Sequence, residues 1–194
     1  SNSWESPGFS DSFLVDLGTG EATQILEKIR GSASLSPGGS YVTWWDPDLE
    51  KYFAMSTIDQ TIVDLSASVS APLANELHDT PSPPRSYGIA GWLEDDSAVL
   101  LNNRYDIWQL DPAGNEPARC LTGEKGREGR IVYRYTRLDR ELRTIPSGEP
   151  MLLSVFDQNT KASGYCRLDA AAGEITPIVM LDERLGSLQK AKEA

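Results

Sequence analysis

The sequence predicts an all-β chain: a partial β-propeller of about three to four blades of four-stranded antiparallel sheet, a fragment of a longer propeller. Three observations predict it. Tyr87 to Thr122 contains four short apolar runs divided by turn residues, two turn motifs recur along the chain in a constant order, and no long helical stretch separates the runs.

Tyr87 to Thr122 is the reference blade. Its runs are Tyr87 to Trp92, Ala98 to Leu101, Asp106 to Leu110 and Ala118 to Thr122. They are divided by Glu94-Asp95-Asp96-Ser97, by Asn102-Asn103-Arg104, and by Asp111-Pro112-Ala113-Gly114-Asn115. Asp and Pro initiate such turns and Gly or Asn accepts positive φ, so the four runs read as an antiparallel meander.

The turn read as following the third strand recurs as VDLGTGE, VDLSAS, QLDPAGNE and RLDAAAGE, with aspartates at Asp16, Asp64, Asp111 and Asp169. These lie 48, 47 and 58 residues apart, two intervals at propeller period and one with an insertion. The turn between the first two strands recurs as LSPGGSYV from Leu35, LEDDSAVL from Leu93 and IPSGEPML from Ile145.

Taken in order, residues 1–12 read as a lead-in that begins with a tag remnant, Ser1-Asn2. Residues 13–180 read as blades, and residues 181–194 as a polar tail or short helix. Phe13 to Leu17 and Ala22 to Leu26 are the late strands of a first, incomplete blade. Ser32 to Ser36, Tyr41 to Asp46, Lys51 to Ser56 and Thr61 to Leu65 form the next. Residues 66–86, with four prolines, are an excursion between blades with a helical turn at Leu73 to Leu77. After the reference blade, Gly123 to Gly129 is a charged loop. Arg130 to Leu138 alternates, with Ile131, Tyr133 and Tyr135 on one face and Val132, Arg134 and Thr136 on the other. Met151 to Asp157, Gly164 to Asp169 and Thr176 to Met180 complete the set. Such an arc leaves exposed strand edges that invite pairing with another copy.

A chain of 194 residues, 39% hydrophobic and 24% charged, is long enough for a real core. Its net charge of −11 argues against nucleic acid or an anionic membrane as partner, and no apolar run reaches the length of a membrane span. Cys120 and Cys166 fall at strand positions in successive repeats, which leaves open either a disulfide between blades or two buried thiols. No spacing suits zinc or an iron–sulfur cluster, and no cofactor motif is present.

The succession YGIAGWLEDDSAVLL, NNRYDIWQLDPAGNEPARCLT, RYTRLDRE and PMLLSVFDQNTKASGYCRLD, within Ser32 to Met180, resembles the N-terminal propeller of serine peptidases of the prolyl oligopeptidase and dipeptidyl-aminopeptidase family. The resemblance implies a parent in which the propeller filters or positions peptide substrates for a C-terminal α/β-hydrolase domain, in an extracytoplasmic protein. The sequence departs from the family where catalysis is concerned. It has no G-x-S-x-G nucleophile elbow, its one histidine, His78, lies in the Pro-rich excursion, and the glutamate pair that anchors a substrate N-terminus in the dipeptidyl branch is not recognisable. No catalytic residue is carried over.

The candidates for contact with substrate or with the hydrolase domain are Arg104, Tyr105 and Asp106, at a tight turn, and His78. The bland alternatives are a local ion pair for Arg104 and a solvated loop for His78-Asp79. Asp46-Pro47-Asp48-Leu49-Glu50 and Glu94-Asp95-Asp96 are acidic enough to suggest calcium but lack the ligand pattern of a calcium loop, which favours turn-forming carboxylates. Trp44, Trp45, Trp92 and Trp108 fit packing between blades better than a ligand platform. Arg134, Arg137 and Arg140 with Asp139 and Glu141 read as a solvated edge. The sequence therefore supports a non-catalytic propeller segment of a serine peptidase or, alternatively, a stand-alone scaffold that binds a protein or glycan.

Overall fold

The computed structural model describes residues 8–139 and 141–191; Arg140 and the Ser1-Asn2 pair lie outside them. Among the described residues, fourteen strands form one two-stranded and three four-stranded antiparallel sheets, each a simple meander in chain order. The first sheet is β1 (Phe9–Val15) and β2 (Ala22–Arg30). The second is β3 (Ala33–Leu35), β4 (Tyr41–Asp46), β5 (Lys51–Ser56) and β6 (Ile62–Asp64). The third is β7 (Ile89–Trp92), β8 (Val99–Asn102), β9 (Ile107–Leu110) and β10 (Arg119–Cys120). The fourth is β11 (Ile131–Tyr135), β12 (Met151–Asp157), β13 (Ser163–Asp169) and β14 (Glu174–Leu181). This is the all-β architecture of a partial propeller.

The hairpins follow from local chemistry. Asp16, Asp46, Asp157 and Asp169 each use one carboxylate oxygen to accept the amides two and three residues on, which folds the chain back. The turn then closes on a residue with positive φ: Gly20, Glu50, Lys161 and Gly173 respectively. The carboxylate of Asp46, one of the calcium candidates, is therefore used by its own turn.

Side-chain alternation stacks the sheets. On β8, Val99 and Leu101 face the second sheet, where they meet Tyr52, Ala54 and Leu65. Leu100 points the other way, joining Ile107 against Tyr133, Leu153, Val155, Cys166 and Leu168 of the fourth sheet. Both faces of the third sheet are thus buried, and β8 reads as four consecutive buried residues instead of an alternating strand. A third cluster, Leu26 with Val42, Trp44 and Met55, joins the first two sheets.

Among the described residues, both outer sheets carry exposed apolar side chains. Phe9, Phe13 and Val15 are exposed on β1, and Phe156, Val179 and Leu181 on the far side of the fourth sheet. Pro177, whose missing N–H suits only an edge strand, lies in β14 at a bulge opposite Cys166.

Several expectations are corrected. Strand β1 begins at Phe9, inside the stretch read as lead-in. The VDLSAS turn follows the fourth strand of its sheet, and the turn equivalent to those at Asp16, Asp111 and Asp169 is Ser56 to Gln60. Leu73 to Leu77 is not helical, because Leu73 and Ala74 are buried and Ala74 bridges Ser86 in extended conformation. Lys125–Gly129, read as loop, is a short helix, α1, whose Gly126 and Arg127 amides bond the Asp106 carboxylate. Where the sequence leaves open a polar tail or a short helix for residues 181–194, Asp182 to Ala191 is non-helical; the Tyr165 hydroxyl donates to Gly186 O, and Ser163 holds Glu183 and Leu185.

A disulfide is also ruled out by the packing. Cys120 packs in the cluster between the second and third sheets and Cys166 in the cluster between the third and fourth, so the third sheet separates them and both are free thiols. Trp44, Trp45, Trp92 and Trp108 all pack in the clusters between sheets, with Tyr41 stacked on Trp92 and Trp44 on its cross-strand neighbour Phe53.

Candidate functional site

Two types of connection reach one end of the stack: those between the second and third strands of a sheet and those leading from one sheet to the next. Here the β8–β9 turn carrying Arg104, Tyr105 and Asp106 meets the Pro-rich excursion and α1. Asn103 shapes the turn, its side-chain oxygen accepting the amides of Tyr105 and Asp106 at 2.9 and 2.6 Å.

Asp106 is 1% exposed and faces inward. Its carboxylate accepts the Thr122 hydroxyl at 2.6 Å and the Gly126 and Arg127 amides at 2.9 and 3.0 Å. With both oxygens used, it is a clasp that seats α1, and it is closed to a ligand. A Cβ on Gly126 would lie 2.6 Å from Asp106 Oδ1, which explains the glycine.

Arg104 and Arg127 both lie over the ring of the buried Tyr105, their guanidinium carbons 5.0 and 5.4 Å from its centroid. Both approach Glu76, from the excursion. Arg127 engages both Glu76 oxygens, one at 3.4 Å and the other more closely, while Arg104 Nη1 stands 3.6 Å from Oε2. The Glu76 bond raises the Arg127 pKa against the opposing effect of burial. Arg104 thus has a carboxylate neighbour, but one 28 residues away in the chain. Proximity in sequence carried no signal of Glu76 or Arg127.

Arg134 departs most from expectation. It is a half-buried staple on β11, donating to Tyr133 O, Asn103 O and Arg104 O and lying 5.9 Å from the Tyr87 ring centroid. Desolvation lowers its pKa. The Tyr87 hydroxyl in turn accepts the Glu76 amide at 3.0 Å.

His78, two residues beyond Glu76, is not brought to Arg104, Tyr105 or Asp106 by any hydrogen bond. Its Nε2 lies against the Ser82 carbonyl, with the Thr80 and Ser82 hydroxyls at 3.2 and 3.4 Å. A proton donated from Nε2 to that carbonyl leaves no lone pair there for a serine base, and no carboxylate orients the ring among the described residues.

The other acidic candidate, Glu94-Asp95-Asp96, lies in the β7–β8 turn. Asp96 is 2% exposed and accepts the Ser36 hydroxyl at 2.6 Å, the Gly38 amide at 2.9 Å and the Ser40 amide at 3.1 Å. Burial works to raise its pKa, and these bonds outweigh it, holding the carboxyl below its ordinary value. Asp96 therefore ties the third sheet to the β3–β4 turn of the second. No cluster of metal-ligating side chains occurs among the described residues.

The chain matches no family model and no curated protein. Among solved structures it is similar to TolB from Acinetobacter baumannii, at 14% identity and a TM-score of 0.46, over 89% of this chain and 38% of that one. The chain thus spans well under half the length of that structure. No helix among the described residues is long and apolar enough to cross a membrane.

Proposed function

We propose that this chain is a non-catalytic propeller segment of an extracytoplasmic serine peptidase of the prolyl oligopeptidase type. It gates or positions peptides for an α/β-hydrolase domain outside these residues. The parent family is suggested by the sequence resemblance. The observation that supports a peptide-facing role is the convergence of Tyr87, Tyr105, Arg104, Arg127 and Glu76 at one end of the stack. Guanidinium forks held against aromatic rings suit the charged groups of a peptide.

Fluorophosphonate labelling of the full-length gene product, with the modified peptide mapped by mass spectrometry, tests the reading. A labelled serine outside residues 1–194 supports it. An unlabelled, folded parent refutes the peptidase assignment in favour of a binding scaffold, and a label within these residues overturns both.

A further inference from the structure

Arg104 is unusual among the arginines of this chain. Its side chain is 21% exposed, yet it donates no hydrogen bond within 3.5 Å to any described residue. Its Nε is buried without a partner, as is the Nε of Arg127, and its nearest carboxylate oxygen stands 3.6 Å away. A largely desolvated guanidinium is costly unless its donors are matched, so this arrangement is incompletely satisfied. The surroundings add positive potential: Arg127 and Arg134 lie at the same turn, and Asp106 of that turn is consumed by the Thr122 hydroxyl and the α1 amides. In a chain of net charge −11, such a basic focus requires a reason.

Glu76 partly supplies one, but it is held as a displaceable group. The base of the excursion is fastened by the Ala74–Ser86 bridge, by Leu73 at 3% exposure and by Trp45 donating to Pro84 O. Leu77, Asp79 and Thr80, just beyond Glu76, are exposed. Glu76 itself, its side chain 20% exposed, is fixed by its amide on the Tyr87 hydroxyl and by its carboxylate on Arg127, with Arg104 at the edge of ion-pair range.

We propose that Arg104 and Arg127, which converge on Glu76 beside the Tyr105 ring, form a carboxylate-binding site for peptides, and that Glu76 is its internal competitor. A ligand carboxylate displaces Glu76 and engages the two forks, which the buried Tyr105 ring holds in place from below. The proposal rests on the reading of this face as peptide-facing, and it adds the group recognised and the element that limits access. The carboxylate comes from a peptide C-terminus or from an acidic side chain.

The test uses the full chain and a coumarin-labelled Ala-Pro-Ala tripeptide with a free C-terminus, its C-terminal amide, and an amidated Ala-Glu-Ala, followed by fluorescence anisotropy. Glu76→Gln keeps the shape of the side chain and removes its charge. It should tighten binding of the free acid about tenfold, because an occupied site reduces apparent affinity by its unoccupied fraction. The Ala-Pro-Ala amide should be unaffected, and Arg104→Gln in the unmodified chain should weaken the acid and spare that amide. Binding of the Ala-Glu-Ala amide without the acid assigns the side-chain source, binding of the acid without that amide assigns the terminus, and equal binding of the two means that either carboxylate is accepted. Equal binding of the acid and the Ala-Pro-Ala amide overturns the carboxylate site while leaving the peptide-facing role intact. Binding of neither peptide by any variant overturns both. Should Glu76→Gln fail to fold by near-ultraviolet circular dichroism, the Arg104→Gln comparison decides alone.

Discussion

Replacing Asp96 by alanine should cost far more than an ordinary turn substitution, because it removes three bonds that cross from one sheet to the next. The carboxylate is 2% exposed and accepts from Ser36, Gly38 and Ser40. Hydrogen bonds to a charged group contribute roughly 1.5–3 kcal/mol each. Water can reach the partly buried Gly38 and Ser40 amides in the variant, which discounts two of the three. The expected loss is therefore about 3–5 kcal/mol, a large part of the roughly 5–15 kcal/mol that stabilises a typical domain. With a urea m-value of about 2 kcal/mol/M, the midpoint should fall by about 1.5–2.5 M. The acid dependence supplies a second reading. Because the folded carboxyl titrates below its ordinary value, the unfolded chain takes up the proton first as pH falls, and stability rises with pH through this range. The contribution is present in full above the unfolded pKa of about 3.9 and is lost as pH drops through the lower folded value. The gap between the parent chain and Asp96→Asn should accordingly be wide at neutral pH and shrink in strong acid. A loss below about 1 kcal/mol, or a gap that does not change with pH, would refute the account of Asp96 as a charged clasp.

Other substitutions probe separate junctions. A Cβ at Gly164 would collide with the Val179 carbonyl and Met180, so Gly164→Ala should peel β14 from β13, with amide exchange accelerating in residues 174–181 and about 1–3 kcal/mol lost; unchanged exchange would show that the strand absorbs the methyl. Ile145 is 2% exposed, donates its amide to Trp92 O at 2.7 Å and packs in the cluster between the third and fourth sheets. Ile145→Ala should cost about 2–5 kcal/mol by urea denaturation, and a cost under about 1 kcal/mol would mean that the long β11–β12 loop contributes little. Burial pushes the Cys166 thiol up to about 11, so native protein should leave Cys166 unmodified by a thiol reagent at pH 8 while denatured protein exposes both thiols. The same shift makes stability fall as pH rises from about 9 toward 11, where the unfolded chain loses the proton first, and Cys166→Ser should abolish that part of the dependence.

The strands of the second sheet show what can be read locally. Tyr41–Asp46 and Lys51–Ser56 were bounded by Pro-Gly-Gly and Asp-Pro-Asp, and the structure starts and stops them at those residues, because an Asp carboxylate reaching amides two and three positions on needs no distant partner. The VDLSAS motif misled for the same reason. It has the chemistry of a turn, and turn chemistry does not say which strand has just ended. Gly123 to Gly129 hid a helical turn because its stability comes from Asp106, about 20 residues earlier, and not from its own composition.

The candidate site was legible only in part. Arg104-Tyr105-Asp106 could be marked as a tight turn carrying charge and an aromatic ring, but not that Asp106 turns inward while Arg104 stays under-partnered. Glu76 and Arg127 lie 28 and 23 residues from Arg104, one in the Pro-rich excursion at an expected helical turn and the other in a stretch read as charged loop, so nothing periodic connects them. Arg134 looked like part of a charged edge because alternation assigns a side chain to a face and is silent on whether another sheet covers it.

By itself, then, the sequence determined the elements: short strands of period two and turns folded by their own Asp and Gly side chains, which together make an all-β meander. The tertiary structure decided which faces meet. Leu100 and Leu101 are neighbours in sequence yet pack against different sheets, and Cys120 and Cys166 lie on opposite sides of a third. The physical reason is one of range. Backbone hydrogen bonds and turn carboxylates act over a few residues, whereas burial, buried charge and the convergence of Glu76, Arg104 and Arg127 exist only once distant loops have been brought to the same end of the stack.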